Sequence, residues 1–168
     1  KRITEDPLRI LRAIRFATVL NFTIDEELLL VMQKEVATIN TLSLTRIKNE
    51  LDKIFAHQNV LKGLRLLNNL GVFNLLKING EQLVVTEDVS GTYSQLELPA
   101  DFPLSNNEKN NIASIKKVIA YGRIDNNIMY QEGYYACLIG GKILGLSAKS
   151  ISRIYEKMPL IEKNDLKI

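Results

Sequence analysis

Apolar residues that recur at helical spacing, separated by short polar joints, most limit the folds open to this chain. Leu61, Leu64, Leu67 and Leu70 fall three apart and are followed by Gly71, the residue type that most readily ends a helix in the left-handed conformation. Asn59 stands where it can cap that helix. Ile47, Leu51, Ile54 and Phe55 line another, started by Ser43 or Thr45, and Asp25 caps an acid-led helix running to about Ala37. Residues 4–20 carry a further helix, with Thr4 as N-cap candidate and Pro7 early enough to be tolerated. The texture changes over 79–104, where Gly80, Gly91, Pro99 and Pro103 interrupt short apolar runs, which predicts a long irregular joint. Helical pattern resumes at a Ser105/Glu108 capping box, with Ile112, Ile115, Val118 and Ile119 lining a helix that ends at Gly122. Further helices are predicted over 126–144 and, capped by Ser147, over 148–157, with Pro159 closing the last. The expected fold is all-α: a helical bundle over 1–78, then a smaller helical body over 79–168 that includes the joint.

Composition removes several classes. The chain has 168 residues and one cysteine, Cys137, which excludes an internal disulfide framework and fits a reducing, cytoplasmic setting. No apolar run approaches the ~18 residues of a membrane span, and no charged-then-apolar signal segment opens the chain. The net charge of +3 tolerates a polyanionic partner without requiring one. Lys1, with no initiator Met before it, reads as the start of a piece of a longer polypeptide.

The opening helix carries the most chemistry. At ~100° per residue, Glu5, Asp6, Arg9 and Arg12 fall within one arc, while Ile10, Leu11, Ile14 and Ala17 fill the opposite side. Asp6 and Arg9, three apart, are surface neighbours. A carboxylate only accepts hydrogen bonds and a guanidinium only donates. Cytosine and adenine each present an amino donor beside a ring-nitrogen acceptor, whereas uracil and guanine present the reverse order. A pair such as Asp6 and Arg9 facing a base edge therefore accepts C and A and rejects U and G. The same spacing also suits a solvated salt bridge worth a few tenths of a kcal/mol.

Glu5-Asp6-Pro7-Leu8-Arg9-Ile10-Leu11-Arg12-Ala13-Ile14-Arg15-Phe16-Ala17, with Leu20-Asn21-Phe22-Thr23-Ile24-Asp25 after it, resembles the neck of bacterial class II tRNA nucleotidyltransferases, the CCA-adding enzymes and their poly(A) polymerase relatives. Glu-Asp-x-x-Arg is that family's nucleotide-selecting motif. The resemblance implies that Asp6 and Arg9 form the amino-acid template for incoming CTP or ATP, with Glu5 supporting them and Arg12 sharing their face. Leu44-Thr45-Arg46-Ile47-Lys48-Asn49-Glu50-Leu51, continued by Lys53-Ile54-Phe55, is similar to the next neck motif, which steadies the template helix in the family. Gly63-Leu64 and Leu70-Gly71-Val72-Phe73 resemble the neck's end, and Asn164–Ile168 the start of the tail element. The implied partners are the tRNA 3′ end and acceptor region, and the implied metal is Mg2+ bound by a head domain N-terminal to this segment. No Asp-x-Asp occurs in the sequence, so catalytic and metal-binding residues are expected outside it and the segment alone is expected to be inactive. A poly(A) polymerase shares the same signature, and a plain helical interaction scaffold fits the same periodicity.

Other features carry less. Gly140-Gly141-Lys142-Ile143-Leu144-Gly145 has phosphate-loop glycines without the following Lys-Ser/Thr, which predicts close helix packing. His57, the only histidine, is expected at a helix end. Asn21-Phe22-Thr23 fits a glycosylation acceptor with nothing else pointing to secretion. Tyr130, Tyr134 and Tyr135 are expected in the core or at its rim. Lys48, Lys62, Arg65, Lys116, Lys117, Lys149 and Arg153 are scattered basic residues whose ordinary place is solvent; Lys116, Lys117 and Arg153 are the RNA-backbone candidates.

Overall fold

The computed structural model describes residues 5–80 and 82–159. Thr4 and the tail element at 164–168 lie outside the described residues. Among these there is no β-strand, only an isolated bridge pairing Asn79 with Glu97, and no helix is long and apolar enough to cross a membrane. The chain forms two compact units, Lys1–Pro103 and Leu104–Ile168.

The first unit is built on α1 (Leu8–Val19), which packs against α3 (Leu44–Phe55) and α4 (Val60–Asn69). Its apolar arc is buried as the spacing predicts: Ile10, Leu11, Ile14 and Ala17 are all fully covered. α2 (Glu26–Glu35) stops two residues before the predicted end and continues as a 3-10 segment, Val36–Thr41. Ser43, not Thr45, caps α3, its hydroxyl accepting from the Arg46 N–H. Asn59 sits at the α4 cap position but spends its side chain elsewhere: Nδ2 donates to the Thr18 carbonyl at 3.0 Å, tying α4 to the end of α1. Gly63 makes that packing close, because a Cβ there would stand 2.5 Å from Ile54 Cγ2 and 2.8 Å from Thr18 Oγ1. Gly71, at φ 83°, ends α4 as predicted and leads into α5 (Val72–Leu76).

The stretch 79–103 is irregular apart from α6 (Val89–Tyr93), and it packs within the first unit. Tyr93 is fully buried, with its ring 5.1 Å from Phe55 and 5.4 Å from Phe102. The Thr92 hydroxyl donates to the Phe55 carbonyl at 2.8 Å, so the end of α3 is held from both its side chain and its backbone. The compact units divide after Pro103, whereas composition alone draws the boundary near residue 78.

In the second unit α7 (Asn106–Tyr121) packs on α9 (Tyr134–Ile143), with α8 (Asn126–Glu132) and α10 (Ala148–Lys157) completing the core. The Ser105/Glu108 capping box forms in both directions. Spacing predicts one helix over 126–144; the structure breaks it at Gly133, whose φ of 89° lies outside the helical region. Gly140 and Gly141 serve close packing, since a Cβ on Gly140 would meet Val118 Cγ1 at 2.6 Å and one on Gly141 would meet Ile151. Tyr134 lies at the core's rim, its ring 4.6 Å from Tyr155, while Tyr130 is exposed. Burial pushes the Cys137 thiol up to about 12, with Glu132 and Asp125 adding to the shift.

Two outcomes follow from this packing. Gly63→Ala should lower stability by about 1–3 kcal/mol, the usual penalty for overfilling a tight core, read as a lower urea midpoint with unchanged slope. Cys137 should stay unreactive to a thiol reagent at pH 8 in the native chain and react once urea unfolds it; rapid native labelling contradicts its burial.

Candidate functional site

Asp6 lies at the mouth of α1, immediately before Pro7, which starts the helix without needing an N–H of its own. Its Oδ1 accepts from the Leu8 N–H at 3.2 Å, and its carbonyl accepts from the Arg9 N–H at 3.0 Å. A carboxylate in this position compensates unpaired N–H groups and the positive end of the helix. The second oxygen, Oδ2, lies 3.9 Å from Arg12 Nη1. Spacing predicts one helix over 4–20, but the helix starts at Leu8 after Pro7, so Glu5 and Asp6 precede it rather than lie on its surface. Glu5 is exposed and Arg9 half-buried.

What fixes the arc comes from α3. Glu50 is buried, with only 6% of its side chain exposed, and three cations surround it. Arg12 Nε lies 3.7 Å from Glu50 Oε1, Arg15 Nη1 lies 3.2 Å from Oε2, and Lys53 Nζ lies 3.9 Å from Oε1. Arg12 therefore bridges two carboxylates, a solvent-facing one at the helix mouth and a buried one beneath. Arg15 also rests on the exposed Phe16 ring, 4.7 Å from its centroid. Arg12, Arg15 and Lys53 thus converge on one buried carboxylate, and Arg12 also reaches the carboxylate of Asp6.

A second polar cluster braces α3 from the other side. Asp52 accepts from Tyr93 Oη at 2.8 Å and from Lys48 Nζ at 2.9 Å, with Lys48 also lying 5.8 Å from the Tyr93 ring centroid. Lys48 is thus buried in this cluster, which corrects its reading as a solvated lysine. His57 is at the end of α3 as expected, its Nδ1 accepting from the Asn59 N–H at 3.1 Å. Lys116 and Lys117 on α7 and Arg153 on α10 are all exposed in the second unit.

Sequence reasoning placed Glu50 only within the motif that steadies the template helix and gave Arg15 no role, although a more specific signal was present. Ile47, Leu51 and Ile54 define the apolar stripe of α3, and Glu50 falls within it at helical spacing. A charge placed on a buried stripe requires charged partners. Lys48 obeys the same rule beside Leu51 and Phe55.

The first unit is thus all-helical around a helix start where a carboxylate and a guanidinium meet. A family model described as "Probable RNA and SrmB- binding site of polymerase A" matches residues 21–77. The chain is 33% identical over 132 residues to the CCA-adding enzyme of Staphylococcus haemolyticus, covering 71% of this chain and 33% of that protein. It is 37% identical over 76 residues to the CCA-adding enzyme of Staphylococcus epidermidis, covering 45% and 19%. With that of Oceanobacillus iheyensis it shares 41% identity over 78 residues, covering 46% and 20%. The chain spans about a third or less of the length of these relatives. It belongs to the CCA-adding enzyme and poly(A) polymerase family.

Glu50→Gln should lower stability by about 1–3 kcal/mol and free the Arg12 side chain, seen as loss of a sharp Arg12 Nε–H signal in NMR spectra. An unchanged Arg12 signal in that variant shows that the guanidinium is held by something other than Glu50.

Proposed function

We propose that this chain is the nucleotide-selecting and RNA-holding part of a tRNA nucleotidyltransferase that adds CCA to RNA 3′ ends. The observation that carries the reading is the placement of Asp6 at the mouth of α1 with Arg12 drawn to it and anchored beneath by buried Glu50. A template made of side chains discriminates only if its donors and acceptors cannot turn to suit the wrong base. In this reading Asp6 accepts from the amino group of cytosine or adenine, and Arg9 donates to the adjacent ring nitrogen. Glu5 supports the pair, and Arg12 keeps the Asp6 carboxylate from rotating away. CTP and ATP are the substrates, the tRNA 3′ end and acceptor region the partner, and the cytoplasm the place of action. Lys116, Lys117 and Arg153 touch RNA phosphates without reading sequence.

Nucleotidyl transfer of this kind employs Mg2+ to polarise the phosphates and the attacking hydroxyl. Among the described residues no three His, Cys, Asp or Glu side chains gather to hold a metal ion. The residues present do not fit that group, so in this reading Mg2+ belongs to a head domain outside the segment and the segment alone is silent. The family model's mention of polymerase A keeps a second reading in view, in which the same pair selects ATP alone for poly(A) synthesis.

The test uses the intact parent enzyme, a tRNA lacking its terminal CCA, and CTP plus ATP, with products sized to the nucleotide. Addition of C, C and A followed by a stop is expected; long adenosine runs move the chain to the poly(A) branch. Arg9→Ala should lower the preference for CTP and ATP over UTP and GTP by about tenfold or more, corresponding to one lost polar contact in a dry pocket. Unchanged nucleotide choice in that variant rules out the template assignment.

A further inference from the structure

In the first unit α2 is the least covered of the longer helices: of its ten residues only Met32 is buried. At ~100° per residue, the strip of α2 that faces away from Met32 carries Glu27, Leu30, Val31 and Lys34. All four are exposed, Leu30 at 58% and Val31 at 39%. Large apolar side chains standing side by side on an open helix face mark a surface that something covers. Leu30 also borders a groove of about 310 Å3 between α2 and α4, whose apolar lining is Leu29, Leu66 and Leu70. The apolar surface therefore continues sideways from Leu30.

The order of charges along the strip selects what fits it. Glu27 stands three residues before Leu30, and Lys34 stands three residues after Val31. The strip is thus centred between Leu30 and Val31, with opposite charges at equal distances from the centre. Neither charge has an ion-pair partner among the described residues. A two-fold axis through that centre lays a second α2 antiparallel on the first, so that Glu27 of each copy meets Lys34 of the other. The same axis keeps Leu30 of both copies on the groove side, where each finds an apolar seat, and sets the two Val31 side chains together. A surface that is its own complement in this way is what a two-fold dimer requires. RNA is a poor fit, because Asp25, Glu26 and Glu27 crowd the start of the helix and would face its phosphates. A single pair of ten-residue helices covers less than the ~800 Å2 per partner of a standard interface, so the association is weak and depends on concentration.

We propose that the outer strip of α2 is a self-association surface, on which a second copy of this chain docks antiparallel through Leu30, Val31 and reciprocal Glu27–Lys34 pairs. The inference does not depend on the nucleotide-selecting reading, and its test is read in molecular mass rather than in nucleotides added. Sedimentation of the intact parent enzyme should show a mass that climbs from one copy toward two as protein concentration rises, and less so at high salt. Leu30→Asp should weaken the association by about tenfold or more, since it sets two carboxylates at the centre of the contact. Glu27→Lys and Lys34→Glu should each weaken it by about tenfold as well, because both cross-pairs turn repulsive. Mixing these two charge variants restores every pair, so the mixture should associate where neither variant alone does. The altered side chains are exposed, and each variant should keep the helical spectrum and melting temperature of the unaltered protein. A parent enzyme that stays monomeric at every concentration overturns the proposal, whether α2 is then open or covered by another part of its own chain. So does an association that Leu30→Asp leaves intact, or a pair of charge variants that mixing fails to rescue.

Discussion

Glu50 is the interaction on which the first unit's site depends. A carboxylate this deeply buried is stable as an ion only where cations meet it, and Arg12, Arg15 and Lys53 all do. That requirement locks the rotation of α1 against α3, because turning α1 by even one residue would withdraw both arginines and strand the charge. Apolar packing between the two helices tolerates small slips; a buried ion with three partners does not. The ion pairs therefore specify the register, while Ile10, Leu11, Ile14, Ile47, Leu51 and Ile54 supply the burial that stabilises it.

α3 is in turn braced by the irregular stretch that follows the bundle. Tyr93 and Lys48 converge on Asp52, two residues from Glu50, and the Tyr93 ring closes over Phe55 with Phe102 beyond it. Thr92 fixes the last turn through the Phe55 carbonyl. A segment with few helical residues thus holds in place the helix that holds the arginines. Its polar contacts are buried or half-buried and pair with one another, the circumstance in which such networks rigidify a fold.

Rigidity matters for the proposed chemistry because choosing between bases is a difference between two binding free energies. An Asp6 free to rotate, or an Arg12 free to swing, would adapt to uracil nearly as well as to cytosine. The helix mouth restrains Asp6 from one side through the Leu8 N–H, and Arg12 restrains it from the other.

The sequence by itself determined the longer helices, several of their ends, and which face of α1 is buried, because these follow from local spacing, caps and glycines such as Gly71 and Gly122; the short α5 and α6 were not legible in it. It also determined the family, since the Glu5–Ala17 stretch and the α3 motif are contiguous strings. Proximity between distant residues was left to the tertiary structure. Nothing near Glu50 in the chain shows that it meets Arg12 and Arg15, and nothing near Tyr93 shows that it reaches Asp52. Glu50 and Lys48 were legible only as charges on an apolar stripe, a sign that partners exist without saying which. The break at Gly133 escaped because a glycine inside an apolar run is locally compatible with a helix, and only the turn of α9 back onto α7 demands its positive φ. The boundary at Pro103 was decided the same way: Tyr93 and Phe102 belong to the first unit because that is where their rings are buried, a fact of packing that composition does not encode.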